Sequence, residues 1–204
     1  MAERAYLALR DQLILLKIPP GAPISEEDLM RQLGMGRTPI RESIKRLALE
    51  NLIEVFPRRG TFASDIQITD LAAISEVRIQ LEGYAALLAA TRLPPDSKGP
   101  LDELLAELGV VPQTPEALMS LDARVHRFVY RATRNPYLED TLNRHLNLSL
   151  RIWCLVLDRL PHLSERVREH EDLLLAIQRG DGERAKDIAA THVATFEREI
   201  RSVL

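Results

Sequence analysis

Three short amphipathic segments followed by an arginine-containing turn occupy the first 64 residues, and they restrict the folds open to this part of the chain. Apolar residues recur at helical spacing, which predicts helices at about 3–17, 26–33 and 38–51. Alternating residues on both sides of the Pro-Arg-Arg-Gly sequence at 57–60 predict a small β-hairpin. Three helices followed by a hairpin indicate a winged helix-turn-helix domain, which we place at residues 1–64.

Capping residues set the expected ends of the second and third helices. Ser25 is expected to cap the second helix, and Gly34 is expected to end it. The third helix is expected to begin with Thr38 at the N-cap and Pro39 at the first helical position. Its buried face is predicted from apolar residues spaced i, i+4 and i+7, which are Ile40, Ile44 and Leu47.

The rest of the chain is predicted to be helical, which makes the whole protein mainly α. Aromatic residues make up only 4% of the sequence, a composition that favours helices over sheets. We expect a linker at 65–69 and a second domain at 70–204, folded as an antiparallel bundle. Thr69, Thr114 and Asp181 are the expected N-caps. The six predicted helices lie at about 70–92, 99–109, 115–134, 136–160, 164–179 and 182–203.

Charge distinguishes the two predicted domains. Residues 1–64 carry a net charge of +2, whereas residues 65–204 carry −5. A basic part joined to an acidic part is typical of a nucleic-acid-binding domain attached to a different module, although a solvated helix face gives the same bias. The single Cys154 forbids an internal disulfide and favours a reducing cytoplasm. Uncharged runs reach only nine residues, so we expect no membrane span.

Basic residues cluster where a winged helix-turn-helix would meet DNA. The first residues of the third helix would reach base edges in the major groove, and an arginine there can bind guanine O6 and N7 through two hydrogen bonds. The arginines and glycine at the hairpin tip are suited to the adjacent minor groove. A winged domain that binds protein is the alternative. The candidate DNA-binding residues are Arg37, Thr38, Arg41, Lys45, Arg59 and Gly60.

A second set of residues has the spacing of a metal site. Asp122 and His126 are four residues apart on one predicted helix and share a face. His170 lies eleven residues before Asp181 and His192 lies eleven after it, so both sit at the same height in a helical hairpin that closes at this aspartate. Three nitrogens and one carboxylate oxygen suit Zn, Ni, Mn or Fe. The alternatives are that Asp122 and His126 form an exposed hydrogen-bonded pair on their helix, and that His170 and His192 are ordinary core histidines.

Several of these motifs together resemble the GntR superfamily of bacterial repressors, over nearly the whole chain. The later motifs resemble its FadR branch, whose effector domain is called FCD, and the count of six helices resembles the VanR-type subgroup. Gly36 departs from the Ser or Thr usual in the family, which removes one phosphate contact or leaves it to the backbone. The resemblance is carried by Leu33–Glu42, Arg59–Phe62, Glu76–Glu82, the Asp122/His126 pair, Glu169–His170 and Gly180–His192.

The resemblance implies a homodimer that binds a palindromic operator and responds to a small ligand. In metal-bearing members, the residues matching the Asp and three His above bind a divalent metal, and a small carboxylate completes its shell. Arg78 is a candidate anchor for that carboxylate, because a guanidinium pairs with a carboxylate through two hydrogen bonds. An ion pair with Glu82 on the same helix is the alternative for Arg78.

We therefore predict a cytoplasmic transcription regulator, expected to be a repressor and not an enzyme. Its operator affinity is expected to change when a small carboxylate binds at a Zn, Ni or Mn site in the C-terminal bundle. One alternative is a metal-dependent hydrolase fused to a winged domain, although no Asp, Glu or Ser has a spacing that marks it as a general base. The other is a winged protein-interaction module with a structural metal.

Overall fold

The computed structural model describes residues 1–110, 114–160 and 162–204 and shows a mainly helical chain, as predicted. No helix in this described part is long and apolar enough to cross a membrane. The chain divides into two compact units. The first unit comprises Met1–Ile68 and Leu150–Leu155, and the second comprises Thr69–Ser149 and Val156–Leu204.

The first unit contains three helices followed by a two-stranded antiparallel hairpin, in the order that the sequence predicts. Ile53 lies opposite Ala63 and Phe56 lies opposite Gly60. The backbone turns at Gly60 with a φ of 111°, which a side chain would disfavour. The elements are α1 (Ala2–Ile14), α2 (Glu26–Leu33), α3 (Arg37–Leu49), β1 (Ile53–Phe56) and β2 (Gly60–Ala63).

Both predicted ends of α2 are confirmed. The hydroxyl of Ser25 accepts a hydrogen bond from the amide of Asp28 at 3.2 Å, which satisfies one of the free donors of the first turn. Gly34 ends the helix in the left-handed conformation, with a φ of 61°. These two residues fix the length of α2 and the turn that leads into α3.

The start of α3 differs from the prediction. The helix begins at Arg37 with Gly36 as its N-cap, so the expectation of Thr38 as N-cap and Pro39 as first helical residue is wrong. The first amides of a helix have no intrahelical partner, so Pro39 is tolerated within the first turn without a lost hydrogen bond. The predicted inward face is confirmed, and α1 packs against α3. The buried residues of that face are Ile40, Ile44 and Leu47.

Within the described residues, the second unit contains five whole α-helices and most of a sixth, α7, near the predicted positions; residues 150–155 of α7 belong to the first unit. Two helix ends differ from the prediction. Helix α6 stops at Ala132, and a 3₁₀ turn at Leu157–Arg159 follows α7. Thr114 caps α6 through a 3.3 Å bond, whereas Thr69 makes no capping bond because its own backbone is already helical. The helices are α4 (Asp70–Arg92), α5 (Lys98–Gly109), α6 (Pro115–Ala132), α7 (Pro136–Val156), α8 (Leu163–Gln178) and α9 (Gly182–Val203).

Helix α4 lies at the centre of this unit and packs against α6, α8 and α9. Its approach to α9 is close at Gly83, where an added Cβ would lie 3.3 Å from the Lys186 carbonyl oxygen. Helices α8 and α9 form the predicted hairpin, and Asp181 caps α9 by accepting a 3.2 Å hydrogen bond from the Arg184 amide. This packing places one face each of α6, α8 and α9 around a common interior point.

Candidate metal centre and nucleic-acid interface

Four side chains from three helices of the second unit converge in its interior. Asp122 and His126 project from α6, His170 from α8 and His192 from α9. All four residues are buried, and one ligand atom from each lies within 4.8 Å of the others. The structure therefore brings together the whole set that the sequence spacing singled out, which we call the Asp-His cluster.

The three imidazole rings of the Asp-His cluster turn the same nitrogen toward the aspartate. The Nε2 atom of His170 lies 2.8 Å from one carboxylate oxygen of Asp122, and the Nε2 of His192 lies 3.6 Å from the same oxygen. The Nε2 of His126 lies 3.7 Å from the other oxygen. Three potential nitrogen donors and one carboxylate thus surround a small buried volume.

The opposite ring nitrogens have different surroundings. The Nδ1 atom of His126 lies 2.7 Å from a carboxylate oxygen of Glu82 on α4. The Nδ1 of His192 lies 3.1 Å from a carboxylate oxygen of Glu169 on α8. The Nδ1 of His170 is buried and has no hydrogen-bond partner among the described residues. We call Glu82 and Glu169 the outer carboxylates; their contacts with the histidines are not predicted from the sequence.

The protonation preferences in the Asp-His cluster reflect its burial and its internal contacts. Burial opposes a charge on Asp122, but His126 and the bonds from His170 and His192 outweigh it and hold the Asp122 pKa well below its ordinary value. Burial and the neighbouring His192 lower the pKa of His170 to about 4. Burial opposes the charge on His192 too, but the bonds to Asp122 and Glu169 raise its pKa to about 9.

Arg78, the predicted effector anchor, is buried and already engaged. Its Nε donates to Glu82 at 2.6 Å, and its Nη1 donates to the hydroxyl of Ser149 on α7 at 2.8 Å. The pair with Glu82, considered as the alternative, is therefore the arrangement found. The remaining histidines lie apart from the Asp-His cluster: His145 contacts the Thr141 carbonyl oxygen on its own helix, and His162 is exposed.

The predicted DNA-binding residues all lie on the surface of the first unit. Helix α3 exposes four of them, three within its first two turns, while Gly60 and the arginine before it sit at the hairpin tip. The guanidinium of Arg59 lies over the Phe56 ring at 5.5 Å, and Phe56 in turn makes an edge contact with Phe62. The exposed residues are Arg37, Thr38, Arg41, Lys45, Arg59 and Gly60.

A contact within the first unit holds the central arginine of α3. The Nε of Arg41 donates to both carboxylate oxygens of Glu26, at 3.0 and 2.9 Å. Glu26 lies in the first turn of α2, so the second and third helices are linked at the edge of the basic surface. Helical spacing does not predict this pair, because the two residues belong to different helices.

Two family descriptions cover most of the chain. Residues 1–63 match the gntR family of bacterial regulatory proteins, and residues 73–195 match the FCD domain. The chain belongs to the GntR family. Within that family its FCD domain places it in the FadR-like branch.

Relatives and solved structures agree with this assignment. An HTH-type transcriptional regulator from an unstable DNA locus of Streptomyces ambofaciens is 30% identical, over 94% of this chain and 82% of the relative. The galactonate operon transcriptional repressor of Escherichia coli is 27% identical, over 98% of this chain and 97% of the relative. The structure of E. coli McbR/YncC matches with a TM-score of 0.81 at 23% identity, over 98% and 97% of the two chains.

The family assignment decides between the functional alternatives. GntR proteins with an FCD domain are DNA-binding transcriptional regulators, so this chain is a regulator and not a metal-dependent hydrolase. The basic surface of the first unit accordingly belongs to a DNA-binding domain.

Proposed function

We propose that this regulator binds a palindromic operator as a homodimer, and that a small carboxylate bound at a divalent-metal site in the FCD domain changes its operator affinity. The buried Asp-His cluster carries the ligand-sensing half of this proposal. We expect the protein to act as a repressor that leaves its operator when the carboxylate binds.

The Asp-His cluster fits a divalent cation by donor type and by placement. Imidazole nitrogens together with one carboxylate oxygen are ligands that Zn, Ni and Mn accept. One ligand atom from each of the four residues lies within 4.8 Å of the others, so a single cation needs only small side-chain movements to bind all four. A cation held by Asp122, His126, His170 and His192 would supply positive charge and open coordination positions for a small carboxylate.

The chain's own residues prepare this site. Asp122 provides a buried negative charge, and its contacts keep three Nε2 atoms turned inward. Arg78 already uses two nitrogens on Glu82 and Ser149, so we propose that it first serves to hold Glu82. Arg78 can bind an effector carboxylate only by giving up one of these two hydrogen bonds. A carboxylate effector is supported by the E. coli relative, whose operon is named for galactonate, a sugar acid.

The DNA-binding half rests on the exposed basic surface of the first unit. The start of α3 presents side chains suited to base edges in the major groove, and the hairpin tip presents an arginine and a glycine suited to the minor groove. A C₂ dimer presents this surface twice, which matches a palindromic site. The proposed contacts are Arg37, Thr38, Arg41, Lys45, Arg59 and Gly60.

A gel-shift experiment tests the regulator's DNA half. The probe is a palindrome from the promoter region of the protein's own gene, used at low salt with metal present. A retarded band that competes with unlabelled probe, but not with scrambled DNA, supports operator binding. No band under these conditions would refute the proposed operator class.

Elemental analysis and titration test the sensing half. Protein purified without added metal is expected to contain a divalent metal, and His170→Ala is expected to remove it. Adding carboxylates from a panel of sugar acids and small dicarboxylic acids should change operator affinity by about 5- to 150-fold, the usual range of allosteric coupling. Unchanged metal content in His170→Ala would refute the metal assignment, and a silent panel at saturating concentration would refute the carboxylate effector.

A further inference from the structure

The two outer carboxylates contact the Asp-His cluster from two different helices. Glu82 reaches the Nδ1 of His126 from α4, and Glu169 reaches the Nδ1 of His192 from α8. A carboxylate accepts hydrogen bonds and cannot donate them when ionised, so each one favours a proton on the Nδ1 that it faces. With a proton held on Nδ1, the nitrogen that each ring can offer to a cation is Nε2, which faces Asp122.

We infer that Glu82 and Glu169 are positioning residues that hold His126 and His192 with Nε2 facing the metal position, and that metal affinity depends on them. This inference rests on the metal site of the proposed function. Carboxylates that fix the orientation of metal-binding histidines commonly change metal affinity by roughly 10- to 100-fold when they are removed.

The two outer carboxylates are held in place by cations of their own. Arg78 donates to Glu82 at 2.6 Å in the interior of the unit. Arg166 donates to Glu169, and it also donates to Glu199 at 2.8 Å. A cation, a carboxylate and an imidazole therefore follow one another on each side. The third ring, His170, has no such carboxylate among the described residues.

Glu169 is the better residue for a test. Glu82 is buried together with Arg78, so its replacement also leaves a charge without its partner in the interior. The Glu169 side chain is 35% exposed, so its replacement leaves less of a charge imbalance in the interior. Glu199 provides a matched control, because it pairs with the same Arg166 and has no contact with a histidine in the described structure.

The experiment compares Glu169→Ala with Glu199→Ala in the full-length protein. Each metal-free protein is titrated with Zn²⁺ in competition with a chromophoric chelator, and thermal unfolding of the metal-free proteins is recorded in parallel. We expect Glu169→Ala to weaken Zn²⁺ affinity by roughly 10- to 100-fold, while Glu199→Ala stays close to the unchanged protein. Glu169→Gln should fall between, because its amide oxygen still accepts a hydrogen bond from Nδ1.

A second readout separates positioning from general stability. The visible absorption bands of bound Co²⁺ report the arrangement of its ligands, and they should change in Glu169→Ala but not in Glu199→Ala. Equal Zn²⁺ affinities and equal spectra for the two alanine variants would overturn the inference while leaving the metal site intact. Failure of the unchanged protein to bind Zn²⁺, Ni²⁺ or Mn²⁺ would overturn the metal site and the inference together.

Discussion

Replacing Glu82 by alanine should be among the most destabilising single changes in the FCD domain. Its carboxylate is buried between the Arg78 guanidinium and the His126 ring, at 2.6 and 2.7 Å. Removing one partner of a buried ion pair leaves the other charge without compensation, which costs about 3–5 kcal/mol of unfolding free energy. For a chain of this size that corresponds to a fall in melting temperature of roughly 6–20 °C.

The pKa of Glu82 gives an independent figure of similar size. Burial raises it, but Arg78 and His126 outweigh burial and lower it from 4.5 to about 2. At about 1.4 kcal/mol per unit this favours the folded state by about 3 kcal/mol. Because the folded pKa is the lower one, this stabilisation is present above about pH 4.5 and is lost as the pH falls toward 2.

A variant of the partner residue Arg78, alone and combined with the Glu82 change, tests this expectation. Arg78→Leu should cost less unfolding free energy than Glu82→Ala. In Arg78→Leu the remaining Glu82 keeps the His126 ring as a partner, whereas in Glu82→Ala the remaining Arg78 keeps, of the contacts above, only the Ser149 hydroxyl. Arg78→Leu combined with Glu82→Ala should lie closer to the unchanged protein than either single change, since the two charges of the pair are removed together. Urea unfolding followed by circular dichroism measures all of them. If each single variant loses less than about 1 kcal/mol of unfolding free energy and the two losses simply add in the double variant, the ion pair is not desolvated and this expectation is refuted.

Three further experiments test other parts of the structure. Arg41→Ala should cost about 1–3 kcal/mol of operator affinity and relax the sequence preference at one base pair. Lys45→Ala should instead weaken binding to all DNA sequences alike and lower the salt dependence of the binding constant by about one unit of slope. Fluorescence anisotropy measures both, and identical binding profiles for the two variants would contradict this expectation. Gly83→Val should destabilise by about 1–3 kcal/mol in thermal unfolding because its side chain meets the α9 backbone. Gly99→Val is the control, since no atom lies within 4 Å of its added Cβ. Ser25→Ala should lower stability by about 0.5–2 kcal/mol through the lost α2 cap, and an unchanged melting temperature would argue against that cap.

The approach of His170 to His192 could be predicted from the sequence because it depends on local geometry. Both helices leave the same turn and rise by about 1.5 Å per residue, so equal distances from Asp181 place the two rings at one level. The Asp122 and His126 pair follows from the i, i+4 spacing on one helix. The packing of α6 beside this hairpin does not follow from local geometry. The sequence-based prediction joins the two pairs only because together they supply three nitrogens and one carboxylate oxygen.

The contacts of the two glutamates could not be predicted in the same way. Glu169 precedes His170 in the sequence but bonds His192, because adjacent residues on a helix point in different directions. Glu82 reaches His126 from a different helix, and only the packing of α4 against α6 brings them together. The sequence predicts the N-cap of α3 at Thr38 and not at Gly36 because glycine has no side chain to signal an N-cap.

Burial of so many polar groups at one point argues that the Asp-His cluster is retained for function. A bundle core of this size gains stability from apolar side chains, and each buried polar atom without a partner works against it. The outer carboxylates satisfy two of the three rings, yet His170 keeps a buried Nδ1 without a partner among the described residues. Sequence and packing rules are most often broken at functional sites. We therefore propose that the Asp-His cluster is the place where this DNA-binding regulator senses a small molecule.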